Sequence, residues 1–471
     1  MENENYVSEI IDRSSKAQKV VEDYSQEKID EIIGALAWGA LNEDFRKKAA
    51  QMMVEESGIG LASDKVNKIK AKTKGVYYQM KDEKSVGIVE EKNGIVKYIK
   101  PMGVIAALVP ITQGEAIPVV KTIMALKGGN SVVFSPHPKG KETCAFVINY
   151  LRKILKEIDV PEDLIMTIDP EKVSMEVSNE LMKQADFILA TGGTPMVRVA
   201  YSSGTPAIGV GTGNTPTYID DSANLSETAE KIKQSKIFDN STSCSSENNI
   251  IINTNIYKEM LEEFEKQGAF LIKEGSKDKE KLQRTIWPEF PSTRALNPDV
   301  PGSSAEELAK MAGLNVPKDV NFLIVEETRG VGEDYPFTGE KLSPVSTLIK
   351  VESFEEALDK MDKILHYQGL GHSCGIHTAV EDQIEKMALR MKVSRMLVNQ
   401  PQSLGNSGAW FNSMPATMTL GCGTWGHNSI SENVRWKDLV NYTTVSKVID
   451  NVEPSDEDVF SESIRSKTFT I

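Results

Sequence analysis

The chain has 471 residues, 40% of them hydrophobic and 26% charged, which suits a globular protein of two or three domains with a large apolar core. Its 54 basic and 68 acidic residues leave a net charge of −14, a surface that repels nucleic acid and anionic membranes and argues against both as partners. No apolar run of about 18 residues is present to span a bilayer, and the start, MENENYVSEIIDRSSKAQ, lacks the basic and apolar regions of a secretory signal.

Residues 7–81 read as amphipathic helices, with Ile29, Ile32, Ile33, Leu36 and Ala37 recurring at helical spacing. VGIVEE and IVKYIKP then predict a hairpin turning near Lys92 to Gly94. From Gly103 the texture becomes alternating strand and helix: GVIAALVP, AIPVVKTIMALKGG, SVVFSP, ETCAFVINYLRKIL, LIMTI, VSNELMKQA and DFILATGG. Near-continuous apolar strands between helices argue for a parallel sheet covered on both faces. A second α/β stretch follows Cys244, through NFLIVEE, SPVSTLIKV, FEEALDKMDKIL, CGIHTAV and RMLVN. Residues 288–304 read as a surface loop, and the Gly-, Ser- and Asn-rich residues 400–432 as a long functional loop. The alternating residues 441–449 read as a late strand, and the acidic tail beyond Asp450 as loosely ordered.

Cys144, Cys244, Cys374 and Cys422 are scattered without a CxxC pair, so they read as free thiols of a reducing, cytoplasmic setting rather than a disulfide framework or zinc ribbon. Among them Cys244 stands apart. SKIFDNSTSCSSENNIIIN places it among small polar residues between a helix and a strand, where a nucleophilic thiolate can stay accessible. The bland alternative is a small core cysteine. Two turns can meet a nucleotide: Thr191-Gly192-Gly193 between strand and helix, and Ser135-Pro136-His137-Pro138-Lys139 after a strand. A glycine turn of that kind also occurs without any ligand. The segment GVGTGNTP lacks the GK[ST] of a phosphate-binding loop, though its glycines suit close backbone approach. His372, Cys374 and His377 form an HxCxxH spacing, but a strand sends these side chains to different places, and no metal is expected there. His377 and His427 read as structural, and Glu340 alone reads as a solvated glutamate.

In this order, PMGVIAALVPIT, ALKGGNSVVFSPHPKG, ATGGTPMVRVAYSSGTPAIGVGTGNTP, KIFDNSTSCSSEN, EKLSPV, GLGHSCGIH and LVNQPQSLGNSG…LGCGTWGHNSISEN resemble the aldehyde dehydrogenase superfamily, in its coenzyme-A-acylating branch. The resemblance runs from about Pro101 to Asn433. It implies an α/β fold of two doubly wound parallel-sheet domains plus a small oligomerisation strand region. The expected division is 1–240 for the helical start and NAD(P)-binding domain, 241–430 for the catalytic domain, and 431–471 for a return to the cofactor domain, the oligomerisation strand and the tail. It implies Cys244 as nucleophile, Thr191, Gly192 and Gly193 beside the cofactor phosphates, and Pro136, His137, Pro138 and Lys139 near the adenosine ribose. Glu340 would hold the nicotinamide ribose, and His372 would assist the coenzyme A step. Gln113 stands where the family usually has an asparagine that donates to the oxyanion; one methylene longer, it is the main departure from the pattern.

Hydrolytic relatives resemble one another in a Glu-Leu-Gly-Gly-Lys stretch whose glutamate activates water. Here the corresponding residues are Val210-Gly211-Thr212-Gly213-Asn214, without a carboxylate, which favours a thiol as acyl acceptor. The resemblance therefore implies NAD or NADP as cofactor, coenzyme A as co-substrate and a homodimer or homotetramer. It implies a small acidic aldehyde as substrate, sulfoacetaldehyde first and succinate semialdehyde second, with acetaldehyde or propanal as alternatives. Gln113, Ser403, Asn406 and Ser407 are candidates for an anion-tolerant pocket. A hydrolytic dehydrogenase and an acyl-phosphate reductase are the rival activities.

Overall fold

The computed structural model describes residues 2–469. Four helices open the chain: α1 (Glu2–Val21), α2 (Gln26–Ala40), α3 (Glu43–Ser57) and α4 (Ala62–Met80). Their ends follow local chemistry. Ser25 and Asn42 accept from the backbone amides of Lys28 and Phe45, and α3 stops at Gly58 with a left-handed φ of 72°. Ile29, Ile32, Ile33 and Leu36 of α2 turn inward and join the core that covers one face of the first sheet. No helix among the described residues is long and apolar enough to cross a membrane.

Strands β1 (Ile88–Lys92) and β2 (Ile95–Pro101) form the hairpin. Asn93 and Gly94 turn it with φ of 50° and 74°, the left-handed pair that a twisted two-residue turn requires. Five parallel strands follow: β3 (Val104–Val109), β4 (Ser131–Pro136), β5 (Ile165–Thr167), β6 (Phe187–Thr191) and β7 (Ala207–Val210), ordered β5-β4-β3-β6-β7. Helices α5 (Ile117–Lys127) and α6 (Lys141–Glu157) cover one face. Helices α7 (Met175–Gln184) and α8 (Thr194–Ser202) cover the other together with α1.

Seven parallel strands make the second sheet: β8 (Thr215–Ile219), β9 (Glu247–Asn253), β10 (Ala269–Ile272), β11 (Phe322–Glu326), β12 (Val345–Val351), β13 (Cys374–His377) and β14 (Met396–Val398). Their order is β10-β11-β12-β9-β8-β13-β14. The alternation of Ile250 and Ile252 to one face and Ile251 to the other feeds two separate cores. Helix α9 (Leu225–Ile237) packs on the first of these faces and the helix Phe354–Tyr367 on the second.

The chain passes between the sheets at residues 211–214, so β8 and α9 belong to the seven-stranded sheet although they precede residue 240. Sheet membership is a long-range pairing, with β8 between β9 and β13, and local periodicity does not report it. Strand β15 (Val440–Ser446) returns to pair antiparallel with β2 of its own chain, giving the order β1-β2-β15. Beyond it, residues 451–469 are exposed and hold only two four-residue helices.

Candidate active site

The carboxyl ends of β3, β4 and β6 face the segments that lead into the amino ends of β8, β9 and β12, and a cavity of about 610 Å³ lies between them. Open parallel sheets characteristically bind ligands beyond their strand ends. The first sheet contributes Pro110 to Gln113, Ser135 to Pro138, and Thr191 to Gly193. Val210 at the end of β7, with Gly211 and Thr212 of the crossing segment, lines the cavity next, and the second sheet contributes Thr242 to Ser245 and Glu340. The long loop adds Ser407, Thr417, Met418 and Leu420.

Cys244 sits on this wall with His372 directly behind it: Nε2 is 3.1 Å from the Cys244 sulfur. Nδ1 of His372 lies 2.8 Å from Ser373 Oγ, which lies 2.9 Å from Thr215 Oγ1. His372 is fully buried, and that burial, reinforced by the Arg395 guanidinium, pulls its pKa down to about 3. Burial pushes the Cys244 thiol up to about 12, and the neighbouring Glu340 adds to the rise. The resting pair is therefore a neutral thiol and a neutral imidazole. With Nδ1–H donated to Ser373, Nε2 is left to accept the thiol proton. Arg395 donates to the carbonyls of His372 (2.9 Å) and Gly421 (2.7 Å), which fixes the histidine backbone.

The loop before the thiol is held under strain. Asp239, Asn240 and Ser241 take φ of 49°, 50° and 62°, three consecutive left-handed non-glycine residues. A buried ion cluster sustains them. Lys65 and Lys68 of α4 both reach the Asp239 carboxylate, Lys68 also approaches Glu115 at 3.5 Å, and Thr242 Oγ1 donates to Asp239 at 2.9 Å. The two lysines hold the Asp239 carboxyl below its usual range despite burial. Lys65 also donates to the Thr112 carbonyl at 3.1 Å, so one helix ties the Cys244 loop to the loop after β3.

The glycine-rich segment packs against the nucleophile: a Cβ added at Gly213 would lie 2.0 Å from the Cys244 carbonyl oxygen. Only glycine fits there. Its neighbour Asn214 turns away, donating to the carbonyls of Thr338 (2.8 Å) and Gln368 (3.3 Å).

Most residues expected from sequence converge. Cys244, Gln113, Pro136, His137, Pro138, Thr191, Gly192, Gly193 and Glu340 all line the cavity. Lys139 is exposed and outside the wall, because its backbone has entered the turn after His137. His372 is also outside the wall and acts from behind the sulfur. Of the polar pocket candidates, Gln113 and Ser407 reach the cavity. Ser403 and Asn406 do not; Ser403 bonds Ser235, and Asn406 donates to Gln402. His377, at the end of β13, lies apart, with both ring nitrogens buried and unpaired among the described residues. Lys65 and Lys68 carry no motif signal, since their partner Asp239 lies more than 170 residues away in sequence; Asp239 and Ser373 sit inside the KIFDNSTSCSSEN and GLGHSCGIH stretches without standing out there.

A nicotinamide dinucleotide fits these residues. No side chain among the described residues caps α8, whose N-terminus opens at Gly193, and a Cβ added at Gly192 or Gly193 would meet only Met196 and Pro195, in ordinary contact at 3.7 Å. Oε1 of Glu340 is buried without a partner among the described residues, as a carboxyl group that meets ribose hydroxyls would be. Burial raises its pKa to about 8.

The arrangement can carry an acyl group on sulfur beside a nucleotide-sized cleft. A profile described as the aldehyde dehydrogenase family matches residues 1–284. A Bilophila wadsworthia protein named sulfoacetaldehyde dehydrogenase (acylating) is 42% identical, over 97% of this chain and 98% of its own. The acetylating aldehyde dehydrogenase of Geobacillus thermoglucosidasius superposes with a TM-score of 0.91 at 35% identity, covering 96% of this chain and 99% of that one. A Rhodopseudomonas palustris propionaldehyde dehydrogenase with bound propionyl-CoA superposes at 0.83 with 25% identity, covering 94% of each chain. The chain belongs to the aldehyde dehydrogenase family, in its acylating branch.

Proposed function

We propose that this enzyme oxidises a small acidic aldehyde, sulfoacetaldehyde first and succinate semialdehyde second, to its coenzyme A thioester through an acyl group carried on Cys244. NAD or NADP supplies the hydride acceptor when bound, with Thr191, Gly192 and Gly193 at its phosphates, Pro136 to Pro138 near the adenosine ribose and Glu340 at the other ribose.

The Cys244 sulfur attacks the aldehyde carbon while its proton passes to Nε2 of His372, 3.1 Å away. Concerted transfer fits a thiol whose burial disfavours a free thiolate. The resulting oxyanion is held by the Cys244 backbone amide and the Gln113 side-chain amide. Loss of the carbon-bound hydrogen as hydride leaves a thioester on Cys244, and His372 releases the proton it took to solvent, returning to neutral imidazole before the acyl transfer. The thiol of coenzyme A then attacks that carbonyl, giving its proton to His372 as the Cys244 sulfur leaves and is reprotonated. The observation that carries this reading is the Cys244–His372 pair packed against a segment, residues 210–214, with no carboxylate to activate water. Glu340 does not replace that base: with a pKa raised to about 8 it is protonated at neutral pH in the free chain. Strand β15, at the edge of its sheet with exposed side chains, supports assembly as a homodimer or homotetramer.

A panel of aldehydes, each with and without coenzyme A, tests the proposal through NAD(P)H formation. Turnover should require coenzyme A and favour sulfoacetaldehyde. Sustained turnover without it means a hydrolytic enzyme, and acceptance of phosphate in its place means an acyl-phosphate reductase. Preference for propanal overturns the substrate reading.

A further inference from the structure

Helix α4 carries Lys65, Lys68 and Lys72 on one face, within two turns. The first two are matched by Asp239 and Glu115. Lys72 is different. Its ammonium donates to the Ser407 carbonyl (3.0 Å), Ser407 Oγ (2.6 Å) and the Gly408 carbonyl (2.9 Å), all neutral acceptors. No carboxylate forms an ion pair with it among the described residues. Burial, with Lys68 one turn away as the neighbouring cation, lowers its pKa to about 7, as expected for an ammonium lacking an anion.

Ser407 is also part of the cavity wall, together with Cys244, Thr112, Gln113 and Thr242. Lys72 donates into the Ser407 oxygen, so the hydroxyl hydrogen must be given elsewhere, and no acceptor for it is found among the described residues. The result is a hydroxyl donor polarised by a cation, on the same cavity wall as the nucleophile. Lys65, two turns earlier, holds the Thr112 carbonyl of that wall, so α4 backs both pieces.

We propose that Lys72 and Ser407 form the subsite that receives the anionic end of the substrate, a sulfonate or carboxylate, while the aldehyde carbon meets Cys244. The inference rests on the thiol-dependent aldehyde oxidation above and specifies what selects its substrate. An anion entering the cavity loses hydration, and a hydroxyl backed by an ammonium offsets that loss by a charge-assisted hydrogen bond. A neutral aldehyde gains nothing from it. If Lys72 only staples the loop to α4, its removal affects every aldehyde alike.

The test measures kcat/KM of the full-length enzyme and of Lys72→Met, Lys72→Arg and Ser407→Ala with sulfoacetaldehyde, succinate semialdehyde and propanal. In Lys72→Met the ratio of anionic to neutral aldehyde should fall about 10- to 100-fold, the size of one hydrogen bond to a charged group. Lys72→Arg should keep part of that ratio, and the two anionic arms tell sulfonate from carboxylate preference. A ratio within about twofold of the parent's, whether all substrates fall together or none does, overturns the proposal. If Lys72→Met does not fold, Ser407→Ala decides by the same ratio. Competitive inhibition of the parent by ethanesulfonate, weakened in Ser407→Ala, supports the subsite, and inhibition equal in both counts against it. Turnover without coenzyme A would overturn the acylating reading while leaving this ratio to judge the subsite.

Discussion

On the side of the five-stranded sheet, the cleft wall is made of turns: an uncapped helix at Gly193, the bend from Pro136 to Pro138, and the glycine turn at Gly192. On the opposite side the wall is pinned by buried charge. Asp239 takes two lysines, the backbone beside it is left-handed for three residues, and Cys244 rests against Gly213 with no room to spare. The difference follows from what each wall must hold. A cofactor that comes and goes is met by backbone dipoles and space, whereas a covalent intermediate needs its sulfur fixed to within a fraction of an ångström.

Cys244→Ser should lower turnover by about 10⁴-fold or more with the fold retained, because a serine hydroxyl is a far weaker nucleophile beside a neutral imidazole. Circular dichroism alongside the assay checks this, and appreciable residual turnover would remove the thiol from the mechanism. Asp239→Ala strikes the pinned wall. It leaves Lys65 and Lys68 short of an anion and should destabilise the protein by about 3 kcal/mol or more, read as a large loss of thermal stability. A shift below about 1 kcal/mol would mean that the loop does not depend on the cluster.

Glu340→Gln separates the two walls more finely. KM for the dinucleotide should rise about tenfold above pH 8, where the carboxylate is charged, the effect of one ribose hydrogen bond to a charged acceptor. The same change should alter the thiol in a pH-dependent way. Cys244 has a raised pKa, so its alkylation by iodoacetamide should climb steadily with pH and show no plateau near neutrality. Glu340 gains its charge as pH rises through about 8 and then opposes the thiolate, so Glu340→Gln should react faster than the parent above that pH and equally below it. Equal rates throughout would disconnect the carboxylate from the sulfur.

The open wall was largely legible in the sequence and the pinned one only at its centre. Thr191-Gly192-Gly193 and Pro136-His137-Pro138 are local turns whose residue types state their geometry, and the thiol's setting at Cys244 is local too. His372 could be singled out only through resemblance, because its contact with the sulfur spans 128 residues. Asp239 and Lys65 meet across 174 residues, and a strained run of Asp, Asn and Ser reads locally as an ordinary polar loop. The polar loop candidates Ser403, Asn406 and Ser407 look alike in sequence, yet only Ser407 reaches the cavity. Which neighbour a hydroxyl or amide finds is settled by packing, as Ser235 and Gln402 show for the other two.

The pairing of β15 with β2 has a consequence for biosynthesis. Asn441 lies opposite Lys100, and the Asn130 side chain donates to the Leu439 carbonyl. The first half of the molecule emerges from the ribosome with that strand edge bare and one of that amide's two acceptors, the Leu439 carbonyl, not yet made, and stays so for more than three hundred residues of elongation. Closing so long a loop is slow, and a bare edge recruits other strands. Production of this enzyme is therefore exposed to aggregation in the interval before its last strand arrives, and truncation just ahead of Val440 makes that interval permanent.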